Sequence, residues 1–204
     1  METMTPSTEP ITDEQIGKVS EVLTAKLKKH RKQLPRNLSQ HVLGAKNSTL
    51  WDELFTVFQK HVDAISNMIV RTVKVNRTQS PQEMLNATGR KQYANSDVVA
   101  TIPRGEGEEK EVFFFKLDRY VSDDELEKEY ELRGQKPADP YSLAKVNQDD
   151  PAFADTHPNG THWKDESGNW NFSAFFRGSD ERNVFVSRSS FEWDHYWWFA
   201  GVRK

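Results

Sequence analysis

The sequence predicts an α+β fold, with helices first and several antiparallel strands last. Three observations carry that expectation. Capped amphipathic segments occupy the first third, EVFFFKL (111–117) reads as a deeply buried strand, and the last forty residues alternate aromatic with small polar side chains. Twelve of the 23 aromatic residues fall between Trp163 and Phe199, so the C-terminal end holds most of the chemistry.

Residues 1–11, rich in Thr, Pro and Glu, read as a disordered tail, and 12–75 as a helical N-terminal region. Thr12 to Gln15 forms a capping box, and Ile16, Val19, Leu23 and Leu27 fall on one stripe of the helix that follows. That helix runs into Lys26, Lys28, Lys29, His30, Arg31 and Lys32 and stops before Pro35. A second helix is expected over 49–72. Leu50, Leu54, Val57, His61, Ile65 and Met68 follow near-heptad spacing, and Phe58, Val62 and Ile69 widen the stripe. Two such helices form either a hairpin packed on the main domain or a self-association element.

Ser80-Pro81-Gln82-Glu83 starts a short helix ending at Gly89, and a short strand is expected between Val98 and Ile102. The loop RGEGEE precedes the EVFFFKL strand. Ser122 to Glu125 opens a helix closed by Gly134, and Asp139-Pro140 caps another through about Asn147. A loop over 148–161 leads to strands at 162–164, 170–177 and 183–188. A bend at 189–194 precedes a last strand over 195–203.

At 204 residues the chain can bury a core, and a net charge of -3 makes no general case for nucleic acid or membrane partners. No run is apolar enough to span a membrane and no secretory signal is visible, so a cytoplasmic location is expected. With no cysteine, the chain has no disulfide, thiol nucleophile or zinc-thiolate site. The glycines of Arg104-Gly-Glu-Gly-Glu precede a strand among carboxylates and read as a turn, not a phosphate loop. Asp155, His157, His162, Asp165, Asp194 and His195 lack metal-ligand spacing, so no metal, other cofactor or catalytic residue is expected, and a metal-dependent enzyme using His157, His162 and His195 is kept only as an alternative. The Asp123-Asp124 and Asp149-Asp150 pairs read as capping and solvated residues. The basic segment 26–36 supports an alternative reading as a nucleic-acid-binding accessory protein. Its cations already suit a helix C-terminus, and nucleic acid is not the expected partner.

In the tail, Phe176, Ser179, Phe185, Ser187, Ser189, Ser190, Phe191, Asp194, His195 and Tyr196 are interleaved with Arg188, Glu192, Trp193, Trp197 and Trp198. Aromatic groups beside small polar ones, on both sides of a strand ladder, are the chemistry of a binding surface. The strand–helix–helix–strands order, ending in an aromatic strand and Ala200-Gly201-Val202-Arg203, resembles a C-type lectin-like domain. In particular it resembles the variable proteins of diversity-generating retroelements. The resemblance covers roughly 110–204, within an expected domain of 76–204 that has a small antiparallel sheet.

In that family a reverse transcriptase copies a template repeat with errors at adenines, so AAY codons become NNY. The resemblance thus implies that the first set, within 176–196, is diversified and binds ligand. Arg188, Trp193, Trp197 and Trp198 would be fixed scaffold. It implies a non-enzymatic protein whose partner is a protein or other macromolecule. The related formylglycine-generating enzymes depend on cysteine, which is absent here, and no Glu-Pro-Asn or Gln-Pro-Asp triplet supports calcium-dependent sugar binding.

Overall fold

Four capped segments set the helical part of the main unit, as seen in a computed structural model that describes residues 2–4, 9–44, 49–66 and 68–204. In chain order the elements are β1 (Glu2–Met4), α1 (Asp13–Lys29), a 3₁₀ turn (Arg31–Gln33), α2 (Arg36–Gly44), α3 (Thr49–Ile65), β2 (Met68–Lys74), α4 (Pro81–Asn86) and β3 (Lys91–Ala94). Then come α5 (Ser96–Val99), β4 (Glu109–Lys116), α6 (Asp123–Leu132), β5 (Gln135–Pro137), α7 (Pro140–Asp149) and α8 (Phe153–Thr156). The chain closes with β6 (Asn159–Lys164), β7 (Trp170–Arg177), β8 (Arg182–Arg188) and β9 (Trp198–Arg203). Ser80 and Ser122 each form a complete capping box, at α4 and α6, with Glu83 and Glu125. The Asp139 carboxylate accepts from the Ser142 N–H at the start of α7, and the Asn95 carboxamide caps α5.

The chain divides into two units, Met1–Thr5 with Ala64–Lys204, and Pro6–Asp63. The first is α+β. Its sheet has nine strands in the order β1-β2-β4-β9-β6-β7-β8-β3, with β5 pairing β9 beside that path. It is therefore larger than the small sheet expected. It is also mixed, because β6 runs parallel to β9 and β3 parallel to β8.

Strand alternation gives the sheet two faces. Phe114, Phe175, Val184, Val186 and Ala200 point to one, where they form a core with Leu85, Val98, Tyr141, Leu143 and Phe153 of α4, α5, α7 and α8. Phe113, Phe115, Phe172, Ala174 and Phe199 point to the other, against Leu126 and Tyr130 of α6 and the indole of Trp193. Tyr130 donates to the Ala200 carbonyl at 2.9 Å, and burial pushes its phenol well above the ordinary range.

Several expectations are corrected. The second helix stops at Ile65 instead of running to 72, and Met68–Lys74 is a strand. Ile69, Val70, Thr72 and Val73 are β-branched, and pairing with β4 overrides the helical spacing that Met68 and Ile69 continue. The helical region expected to reach 75 therefore ends earlier. Within the tail expected to be disordered, Glu2–Met4 pairs with β2, while residues 1 and 5–8 lie outside the described residues. The strand expected at 98–102 is instead α5 and its exit turn, because Asn95 caps that turn. Arg36–Gly44 is helical, and the loop expected over 148–161 contains α8 and the start of β6. The last strand begins at Trp198, not His195, since the Trp197 N–H turns back to the Asp194 carbonyl.

Candidate binding surface

The second face of the sheet is only partly covered. α6 and Trp193 lie over β4, β9 and β6, and Phe172 and Ala174 of β7 are buried beside them, while the outer strands β8 and β3 keep Phe185 and Tyr93 directed at solvent. The register aligns Phe172 with Ser187, Ala174 with Phe185, and Phe185 in turn with Tyr93, so these residues share that face. Phe185, Phe191 and Tyr196 are 39 %, 45 % and 46 % exposed, and Tyr93 and Tyr120 are 45 % and 58 % exposed.

These rings form connected chains. Phe185 lies 6.3 Å from Tyr93 and 5.6 Å from Phe172, whose ring is 5.1 Å from Phe191. Trp193 is 5.8 Å from Phe191 and 5.7 Å from Trp197, and Trp197 is 5.2 Å from Tyr196. His195 continues the row to Tyr120 at 6.0 Å. Most of these pairs are edge-to-face or tilted, which aromatic quadrupoles favour. A hollow of about 490 Å³ beside Phe191 is lined by Ser189, Ser190, Glu192 and Trp170 with the start of α6.

The segment that carries the surface is tied down from beneath. Trp193 is fully buried and exchanges two backbone hydrogen bonds with Val121, at 3.1 and 2.8 Å. Its indole N–H donates to the Asp123 carboxylate at 2.9 Å, and the Ser189 hydroxyl donates to the other oxygen of that carboxylate. The His162 ring is 2.7 Å from Asp123 and 2.9 Å from Glu127 through its two nitrogens, and Trp170 stacks on it at 4.4 Å.

Burial of His162 works against a charged ring, but the hydrogen bonds to Asp123 and Glu127 outweigh it and raise its pKa. Burial likewise works against the charged Asp123 carboxylate. Hydrogen bonds from His162, Ser189 and Trp193 outweigh that and lower its pKa. Both shifts favour a charged pair, His162 cationic and Asp123 anionic, at the root of the 189–197 segment.

The other expected site residues divide by environment. Phe176 is half-buried, 6.0 Å from Trp197, and Ser179 is exposed in the turn between β7 and β8. Ser187 is half-buried and Ser190 exposed. Asp194 is half-buried, accepts from its neighbour His195 and takes a weak hydrogen bond from Tyr120 at 3.4 Å. Among the residues expected as scaffold, Trp193 is fully buried. Trp197 and Trp198 are half-buried and packed on the two cores, and Arg188 is an exposed cation 3.4 Å from Asp165.

Sequence reasoning missed Tyr93, Tyr120 and the hub at Asp123. It took Asp123 for a capping or solvated residue, yet the side chain is buried and accepts from three groups. The available signal was a carboxylate at the first position of a capped helix. Tyr93 was hidden because nothing in the sequence marked β3 as a neighbour of β8.

Among the described residues no group of three or more His, Cys, Asp or Glu side chains could hold a metal ion. His157 stacks on Phe153, His162 binds the two carboxylates, and His195 pairs with Asp194. The basic residues of 26–36 are exposed on the last turn of α1 and the segment after it. No described helix is long and apolar enough to cross a membrane. In comparisons with known proteins, no family model, curated protein or solved structure matches the chain.

Proposed function

We propose that this chain is a non-enzymatic binding protein that displays an interchangeable C-terminal surface. In this reading residues 76–204 form a C-type lectin-like domain of the kind found in variable proteins of diversity-generating retroelements. What supports the lectin-like reading is the order β4, α6, β5, α7, α8, β6, β7, β8, β9, in which β4 and β9 pair antiparallel.

One observation carries the functional reading. Within the 189–197 segment, outward rings at Phe191 and Tyr196 flank the inward Trp193, whose backbone and indole are both anchored, and Phe185 adds an outward ring from β8. Such an arrangement lets outward side chains change while the main chain stays fixed, which is preorganisation for binding. Tyr, Phe, His and Ser offer amphipathic contact area and adaptable hydrogen bonds at low entropic cost, and this suits a macromolecular partner, most simply a protein. Ser189 departs from that role, since its hydroxyl is committed to Asp123.

Deep sequencing of the 3′ end of the gene across a population, with its flanking DNA, tests the reading. Substitutions confined to the codons of 176–196, at adenines of a nearby repeat, are expected. An invariant end with no repeat would overturn it.

A further inference from the structure

A second hollow opens where two strands part. β6 pairs with β9 only at Asn159 and Gly160. Beyond them β5 takes its place, with Gln135, Lys136 and Pro137 opposite Arg203, Val202 and Gly201 of β9. The Thr161 hydroxyl donates to the Ala138 carbonyl at 2.6 Å and so ties β6 to the exit of β5. The hollow in this fork measures about 490 Å³, within the roughly 300–1,000 Å³ of small-molecule sites.

Trp163, Trp170, Pro137 and Val202 give it an apolar lining, and the loop around Gly105 forms its rim. That loop is held down, because the Arg77 guanidinium donates to the Arg104 and Gly107 carbonyls and pairs with Asp139 at 2.7 Å. Most charges along the hollow are matched within its own walls. Asp124 lies 3.7 Å from the Lys164 ammonium and accepts from the Trp170 indole at 3.2 Å, and Glu127 is 2.9 Å from His162. Lys164 also sits 4.3 Å over the Trp170 ring. Lys110 of β4 and Lys136 of β5 differ. Neither makes an ion pair among the described residues, and the one unmatched carboxylate of the lining is Glu106, exposed on the rim loop.

We infer that this hollow binds a small organic anion, with an apolar body against Trp163, Trp170 and Val202 and a carboxylate or phosphate head at Lys110 and Lys136. Two unmatched cations against one carboxylate leave the lining net positive. Each ammonium offers three donors, and the apolar walls strengthen its attraction for an anion over that of an open surface. Lysine is a point charge on a flexible stem, so either head group suits it. No residue of 176–196 lines the hollow. The site is therefore additional to the proposed exchangeable surface and does not depend on it.

The test titrates the full chain with phenylacetate, phenyl phosphate, benzyl alcohol and inorganic phosphate, following the indole N–H resonances of its tryptophans. Phenylacetate or phenyl phosphate should shift the Trp163 and Trp170 signals saturably, with a dissociation constant of about 1 mM or below. The tighter of the two names the head group. Trp197, on the aromatic surface, should stay in place. Benzyl alcohol has the ring without the charge and inorganic phosphate the charge without the ring, so each should bind at least about tenfold more weakly. Lys110→Met with Lys136→Met should weaken the anion by about tenfold or more and leave the urea midpoint unchanged, since neither lysine holds a partner. No saturable shift, equal affinity for benzyl alcohol or inorganic phosphate, a shift at Trp197 in place of Trp163 and Trp170, or undiminished binding by the double variant would each overturn the proposal.

Discussion

The Asp123 carboxylate accepts a hydrogen bond from the buried Trp193 indole at 2.9 Å, joining the first turn of α6 to the segment that carries Phe191 and Tyr196. The same carboxylate holds His162 and Ser189, so one side chain fixes three parts of the chain at once. Asp123→Ala leaves the indole N–H and the imidazole without their acceptor. A loss of about 3 kcal/mol is expected by urea unfolding. Trp193→Phe removes one donor and some volume and should cost about 2 kcal/mol. If Asp123→Ala cost less than Trp193→Phe, the carboxylate would not be the hub.

The His162–Asp123 pair also gives stability a pH signature. His162 has a folded pKa above its unfolded value, so its contribution is fully present below the unfolded pKa, near about 6.5, and is lost as pH rises through the folded value. Asp123 has the opposite shift. Its contribution is present above an unfolded pKa of about 3.9 and is lost as pH falls through the folded value. The pair is therefore strongest between about pH 4 and 6.5.

His157, partly buried and shifted down, opposes this trend, since its contribution is present above its unfolded pKa and is lost as pH falls through its lower folded value. The informative quantity is thus the difference between wild type and His162→Gln. That difference should shrink as pH rises from 6 through the folded pKa of His162, and a flat difference would rule the ion pair out.

Exposure separates the side chains proposed to bind from structural ones on the same face. Phe185→Ser and Tyr196→Ser remove rings that are 39 % and 46 % exposed, and each should cost no more than about 1 kcal/mol. Phe172→Ala, beneath them and 1 % exposed, should cost about 4 kcal/mol. Chemical denaturation of the three variants gives the ranking directly. Equal losses at all three would make Phe185 and Tyr196 core residues.

Local signals were legible in the sequence where the chemistry is local. The boxes at Thr12, Ser80 and Ser122 and the Asp139-Pro140 start cap helices as their residues dictate, because the capping partners lie three residues away. EVFFFKL needed only its own composition to read as a buried strand. What stayed hidden depends on distant pairing. Met68–Lys74 reads as a helical continuation until β4 is beside it, and nothing near Lys91–Ala94 reveals a parallel partner ninety residues on. Asp123 is equally non-local, since its three donors come from β6 and from the segment after β8.

Gly160 supplies the sharpest steric test of how the surface is supported. A Cβ added there would meet the Cη2 and Cζ3 atoms of Trp193 at 2.9 Å and the Ser173 carbonyl at 3.3 Å. Trp193 cannot swing away, because its indole is bonded to Asp123 and its backbone to Val121. Gly160→Ala should therefore cost about 1–3 kcal/mol by overpacking. Phenylalanine at 193 lacks the outer indole atoms Cη2 and Cζ3 that make the clash, so in the double variant much of the alanine penalty should disappear. A double-mutant cycle on unfolding free energies reads that coupling, expected at about 1 kcal/mol or more in the favourable direction. Additive losses would mean that the indole does not rest on Gly160, and the support proposed for the 189–197 segment would fail with it.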